Sequence, residues 1–515
     1  MRLRFRVVST LVVAGWARVA SADVLVVDTL ADQVLVDGDC SIREAFDALV
    51  AGGAAPDCAT LPGDDTVLLD AVGTYVLAAP LVVPGGASIT VRGDSDHPRG
   101  SYRLDRGNQG RILQLDPGSA ATVEHLVMWR GYVTGAEAGG AIRALDADLE
   151  LRDVTLLTNV AADGAGLYWE ADAFDLRGRG GHAAGGPARR LAVENVEFID
   201  GLATVGGFGT SRGAGAMVFA GGDSDVRLAD VRFSLNLATN AGGNDGSGGG
   251  LWLALGGQAH AQVVSADFSS NTSHGDGGAA YLLVVDAAQL EILDSLFTAN
   301  AGDPPILGSL NNDGSLRVGR SRIVANHSDP FWSQARFSLD GSSQLTLDSL
   351  VVGHGDGLGL YVGLHDQSQF LGGHLTITDH PGFGLQLVDA SSSSSLPRLE
   401  SSILWNNGAG GIDDIDFPIL PWPTLARMLI GELDHTDPAF VDPANGNYEL
   451  SAGSLVAING GDAAFATVGP WDVRHGRRVV GPAPDLGAFE RGSLFAWDAE
   501  EGDTVAWSGQ VPMAP

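Results

Sequence analysis

The chain has 515 residues, 72 of them glycine, an apolar fraction of 44% and a formal charge of −33. That apolar fraction is too high for a disordered chain, and glycine keeps no three-residue period, which excludes a collagen-like helix. With 63 acidic residues against 30 basic ones and no lysine, neutralising nucleic-acid phosphates, adsorbing to anionic lipid and lysine-based catalysis are all disfavoured.

Residues 1–22 read as a secretory signal peptide. Arg2, Arg4 and Arg6 precede an apolar run over 7–15, and Ala20-Ser21-Ala22 offers a cleavage site before Asp23. Nothing downstream has the roughly 20 apolar residues of a membrane span, so a secreted or outer-surface protein with no spanning segment is expected. Cys40 and Cys58 are the only two cysteines, and in an exported chain their economical use is a disulfide. Closing a loop of that size stabilises by about 3 kcal/mol in the chain-entropy picture.

Residues 23–65 form the front of the chain. A short strand, VLVV, is followed by DGDC and SIREAFDALVAGG, in which Ile42, Ala45, Phe46 and Leu49 recur at helical spacing. Ser41 and Glu44 have the spacing of a capping box, and Gly52-Gly53 stops the helix. This helix is expected to cover the first coil of the strand-rich region behind it, with Arg43 and Glu44 in salt-bridge or cap roles.

From Thr66 the chain becomes short strands ending in Gly, Pro or Asp, too closely spaced for intervening helices. A phrase then recurs: VTLLTN ending at Asn159, VRFSLN at Asn236, ADFSSN at Asn271, SLFTAN at Asn300 and SRIVAN at Asn326, with VEFID at Asp200 filling the first gap. Most of these phrases lead, through a glycine-rich stretch, to a second strand such as GAGLYWE or GGGLWLAL. Repetition of this kind predicts an all-β solenoid, a parallel β-helix whose coils occupy 66–410, with final coils and an end segment over 411–490 and a tail over 491–515. The asparagines are expected to form a ladder inside a turn, each amide bonding backbone and the next amide. Phe198, Phe233, Phe268 and Phe297 are expected to stack inward beside it. Glycine-rich 176–190, 206–215 and 241–250, the serine run 391–395 and the proline-rich stretch near 418–423 read as loops or departures from the coils.

Two motifs carry a family likeness. DGDCSIREAFDAL around Cys40 resembles the front motif of secreted bacterial CSLREA-domain proteins, with Ile42 in place of Leu. The stretch DPAFVDPANGNYELSAGSLVAINGG and the later PDLGAFE resemble the end of the choice-of-anchor Q group. Asn447, Tyr448, Leu450, Gly453, Ser454, Ala457, Ile458, Gly460 and the 484–490 segment match it. Leu455-Val456 and Asn459 depart from it. The resemblance implies a right-handed, single-stranded, pectin-lyase-like parallel β-helix exported to the envelope or medium.

No catalytic residue stands out. Asp153, Asp230 and Asp294 lie six residues before their turn asparagine and Asp267 four before, which suits either structural turns or a carboxylate ladder. His354, Asp356, His365, Asp366, His374, Asp379 and His380 form a candidate polar cluster, with His274 and Asp276 echoing its first pair. No cofactor is required; Asp94, Asp96 and His97 are a candidate Ca²⁺ loop, although the loop supplies too few oxygen donors by itself, and no metal ligand set can be named. Trp169, Trp252 and Tyr281 either fill the core or face outward as sugar platforms. The expected function is a monomeric, non-catalytic adhesin or envelope protein that meets an extracellular glycan or surface protein. The alternative is a polysaccharide lyase or glycoside hydrolase working in a lateral groove, where carboxylates, an arginine and aromatics would converge.

Overall fold

The computed structural model describes residues 23–51, 57–62, 65–172, 188–205, 210–240, 246–389, 396–408, 413–416, 423–462 and 470–492. The expected signal peptide, the serine run 391–395, most of the proline-rich stretch and the tail after 492 lie outside them, as does part of each glycine-rich loop.

The solenoid has three walls. A 26-stranded sheet contains two of them, and a 12-stranded sheet is the third. The first wall runs from Thr66–Leu69 to Thr424–Ala426, and the second from Gly73–Val76 to Leu429–Ile430. The third runs from Leu81–Val83 to Ile415–Asp416. From Thr66–Leu69 to Leu429–Ile430 each wall strand pairs in parallel with its counterpart one coil away, as in Gln289–Leu293 with Ser315–Gly319 and Leu296–Thr298 with Arg322–Val324. The winding is consistent with the right-handed crossover that twisted strands favour. One apolar core fills the bore from Phe46 of the front helix to Leu404 in the last coils. Strand alternation feeds it: Leu251, Leu253 and Leu255 point inward while Trp252 and Ala254 point out.

The corners explain the recurring polar residues. Between the first and second walls the chain turns on one residue of positive φ: Asp153 (53°), Asp230 (53°), Asp294 (56°), Ser349 (53°) or His374 (54°). Left-handed backbone costs an L-residue about 1–2 kcal/mol, least for Asp and Asn, whose short polar side chains bond locally. The regularly spaced aspartates are therefore corner residues. After the second wall another left-handed residue precedes the ladder position, as Ala299 (54°) precedes Asn300.

At that position the asparagines join coil to coil. Asn236 Nδ2 donates to Asn271 Oδ1 (2.8 Å), Asn271 to Asn300 (2.9 Å) and Asn300 to Asn326 (2.9 Å). The same oxygens accept the backbone N–H of the preceding asparagine at 3.0–3.2 Å. Each Nδ2 also reaches the carbonyl of Phe198, Phe233, Phe268 or Phe297. Those four rings stack at 4.6, 4.8 and 4.7 Å.

Asp200 does not fill the gap before Asn236. It is the left-handed residue (54°), and Gly201 holds the ladder position, where a Cβ would lie 2.4 Å from the Ala214 carbonyl oxygen. Asn159 is thus separated from the continuous run and bonds Gly131 N and Met128 O instead.

At the front, Cys40 and Cys58 form a disulfide. The helix Ile42–Ala51 buries Ile42, Ala45 and Phe46, and its capping box is present: Glu44 N donates to Ser41 Oγ (3.2 Å) and Ser41 N to Glu44 Oε2 (2.9 Å). Arg43 binds Asp32 and the carbonyls of Ala79 and Pro80, which ties the helix to the first coil.

Asn271→Ala is expected to cost about 2–4 kcal/mol, because it strands buried partners on both neighbouring coils. Asn159→Ala, which strands partners on one side only, is expected to cost less. Urea midpoints of the two variants check the ranking.

Candidate functional site

The seven residues of the candidate polar cluster are spread over three corners. His374 is a first-corner residue, His354 and Asp379 are left-handed residues of the second corner, and Asp366 (54°) turns the third. His365 precedes Asp366 there, its N–H bonded to Ser368 Oγ. Asp356 pairs with exposed His327 at 2.7 Å. His380 is buried in the ladder column, its N–H donating to Asn407 Oδ1 (3.2 Å), and burial pushes its pKa down to about 4.

Asn407 extends the ladder, donating through Nδ2 to Asp414 Oδ1 (2.9 Å). Sequence reasoning passed over it, although SILWNN carries the phrase. The broken column hid the match, since Gly355 and His380 stand where asparagines would continue. At Gly355 a Cβ would meet the buried Gln334 amide at 2.0 Å.

Three cluster residues serve as seats for the end of the chain. After Leu429–Ile430 the chain turns back along the outer face of the second wall. There Tyr448, Val473, Ala488 and Phe489 cover Val351, and Leu450, Ala457 and Leu486 cover Ile403. His354 Nε2 lies 2.8 Å from the Pro443 carbonyl oxygen, and Tyr448 donates its hydroxyl proton to Asp379 (3.0 Å). His374 lies beneath the same segment, its pKa driven well down by burial and by the Arg478 charge. Fully buried Arg478 donates to Gly487 O (3.1 Å), Ala488 O (3.3 Å) and Ser349 Oγ. Asp472 receives the N–H groups of Arg474, Gly476 and Glu490, and Glu490 those of Val480 and Asp485. Much of the resembled end motif thus works in docking.

The open chemistry lies on the third wall. A lateral cleft of about 450 Å³ is lined by Thr210, Arg212, Ser247, Trp252, Asp276 and Tyr281, with Gly246 and Gly275. The loops leaving the ladder corner bring Arg212 and Ser247 together on paired short strands, and the third wall supplies the aromatics. Arg212 bonds Asp163 through two nitrogens at 3.3 Å, and its guanidinium lies 5.7 Å from the Trp252 ring centroid. Trp252 and Tyr281 stack at 5.5 Å, and Trp252 is only 4% exposed, so the half-buried tyrosine supplies most of the aromatic surface at the cleft. Trp169 is different: it points into the bore and donates Nε1–H to Ala147 O (3.0 Å). Burial raises the carboxyl pKa of Asp276, against the Arg336 charge and with the Asp303 charge, and burial raises that of Asp163 against Arg212.

Asp267 faces Arg232 at 3.7 Å on the second wall, apart from this cleft, and His274 bonds Thr239 at 2.7 Å. Asp94 and His97 meet at 3.8 Å, with Asp96 N donating back to Asp94. Among the described residues, no three His, Cys, Asp or Glu side chains converge as a metal ligand set. No described helix is long and apolar enough to cross a membrane.

No family model matches the sequence, and no curated protein is similar to it. Among solved structures, the crystal structure of pectate lyase Pel9A aligns over 90% of this chain and 96% of its own, at 12% identity and a TM-score of 0.37. The likeness is a distant one of fold, and it carries no argument about chemistry.

Glu490 generates a pH prediction. Burial raises its carboxyl pKa to about 7, against the backbone donors and Arg478. The folded chain therefore holds this proton more tightly than the unfolded chain does. Its contribution to stability is full below the ordinary carboxylate range and is lost as pH rises through about 7. Glu490→Gln, which mimics the protonated group, is expected to reduce the fall in urea midpoint between pH 5 and pH 8.

Proposed function

We propose that this chain is an exported β-helix of the cell surface or medium that binds an extracellular glycan in the third-wall cleft. Its role on this reading is adhesion or envelope interaction without turnover, carried out as a monomer. One observation carries the proposal: Arg212, fixed between Asp163 and Trp252, faces a polar cleft with the hydroxyls of Thr210, Ser247 and Tyr281 and the carboxyl of Asp276. Such a mixture of aromatic edge, planar cation and short hydroxyls offers sugar hydroxyls both donors and acceptors. The signal-like residues 1–22 support export. The CSLREA-like front and choice-of-anchor-Q-like end support membership of that secreted class.

A second reading, polysaccharide cleavage as a lyase or glycoside hydrolase, is favoured by Asp276, which lines the cleft and whose carboxyl pKa is raised by burial. The same panel of neutral and acidic polysaccharides tests both readings. Binding is expected, with Arg212→Ala in an Asp163→Asn background, which avoids stranding the buried carboxylate, weakening it about tenfold or more. Unsaturated products or new reducing ends, abolished by Asp276→Asn, would establish cleavage instead. If no polysaccharide binds, the glycan reading fails.

A further inference from the structure

The outward face of the third wall continues past the cleft. Its register places buried Trp252 and half-buried Tyr281, Leu307, Arg336 and Tyr361 in one column on successive coils. Adjacent coils are about 4.8 Å apart, so four steps from Trp252 to Tyr361 span roughly 19 Å. At the far end the Arg336 guanidinium lies 4.6 Å from the Tyr361 ring centroid and 5.2 Å from that of Trp332. Phe331, beside it in sequence, is 87% exposed. Charge along the column is compensated or negative. Asp163 holds Arg212, while Arg336 lies within electrostatic reach of Asp276, which also feels Asp303.

We propose that the cleft is one end of a longer track for a linear, uncharged glycan, which lies along the solenoid axis with its far subsite at Trp332, Arg336 and Tyr361. This rests on the glycan reading above and adds the length, direction and charge of the ligand. With coils about 4.8 Å apart, a linear chain along the axis meets a different outward group on each coil, aromatic at Tyr281, aliphatic at Leu307 and cationic at Arg336. Arg336, held flat against an aromatic face, offers N–H donors to hydroxyls in fixed directions. A polyanion would meet Asp276, Asp303 and the overall charge of −33, while Arg212 is already paired with Asp163.

Calorimetric titration of the full chain tests this with cello-, manno- and xylo-oligosaccharides of two and six units, and with hexagalacturonate at low and high salt. For the neutral sugar that binds, the hexasaccharide is expected to be at least about tenfold tighter than the disaccharide. Arg336→Gln and Tyr361→Ala are each expected to remove most of that gain, leaving disaccharide affinity and thermal midpoint in place. A hexasaccharide no tighter than its disaccharide, or a preference for hexagalacturonate, overturns the track while leaving the cleft a glycan site. Failure of every sugar to bind overturns both readings.

Discussion

Most wall strands in this molecule must find their hydrogen-bond partners in the coils above and below. Within the walls the parallel ladders satisfy that demand without regard to side chain. Where the chain leaves the second wall, one backbone N–H per coil goes to a side-chain amide in the run from Asn236 to Asn326 before backbone pairing resumes. An asparagine amide can take this place because it carries a donor and an acceptor at the reach of a peptide group, so Asn271 bonds Asn236 on one side and Asn300 on the other. The stacked phenylalanines beside this column repeat for a related reason: a flat ring at a fixed height packs best against an identical ring one coil away.

The same demand accounts for much of the polar chemistry that looks functional in one dimension. Aspartates at six residues before the turn serve left-handed corners, and the histidines of the candidate cluster occupy corners, a ladder rung or the seat of the returning chain. The two lateral faces are then treated differently. The second wall's outer surface over its last coils is covered by the C-terminal segment, with Arg478, Asp472 and Glu490 organising its turns. On the third wall the outward residues Met217, Phe219, Trp252 and Ala254 are buried too, while Arg212 and half-buried Tyr281 line the lateral cleft.

The repeat could be read wherever each coil spelled it in the same letters. The run from Asn236 to Asn326 and the four phenylalanines were plain for that reason. Substitution by size hid the rest. Gly201 replaces an asparagine because the Ala214 carbonyl crowds it, Gln334 fills the space left by Gly355, and Asn407 resumes the column after His380. The cleft residues gave a fainter signal. Asp276 and Trp252 stand out singly in the sequence, but Arg212 and Asp163, 49 positions apart, carry no mark of partnership.

By itself, the sequence determined that the chain winds in stacked β coils, where the asparagine run from Asn236 to Asn326 lies and that the front is a capped helix beside a disulfide. These follow from local spacing, because alternation and corner chemistry act over a few residues and repeat. Only the tertiary structure decided which outward faces stay open. That outcome depends on contacts such as His354 with Pro443 and Tyr448 with Asp379, between segments 89 and 69 positions apart, and on how far loops of unequal length carry Arg212 over the third wall. Outward-facing positions obey no periodic rule, since nothing in the coil itself has to pack against them.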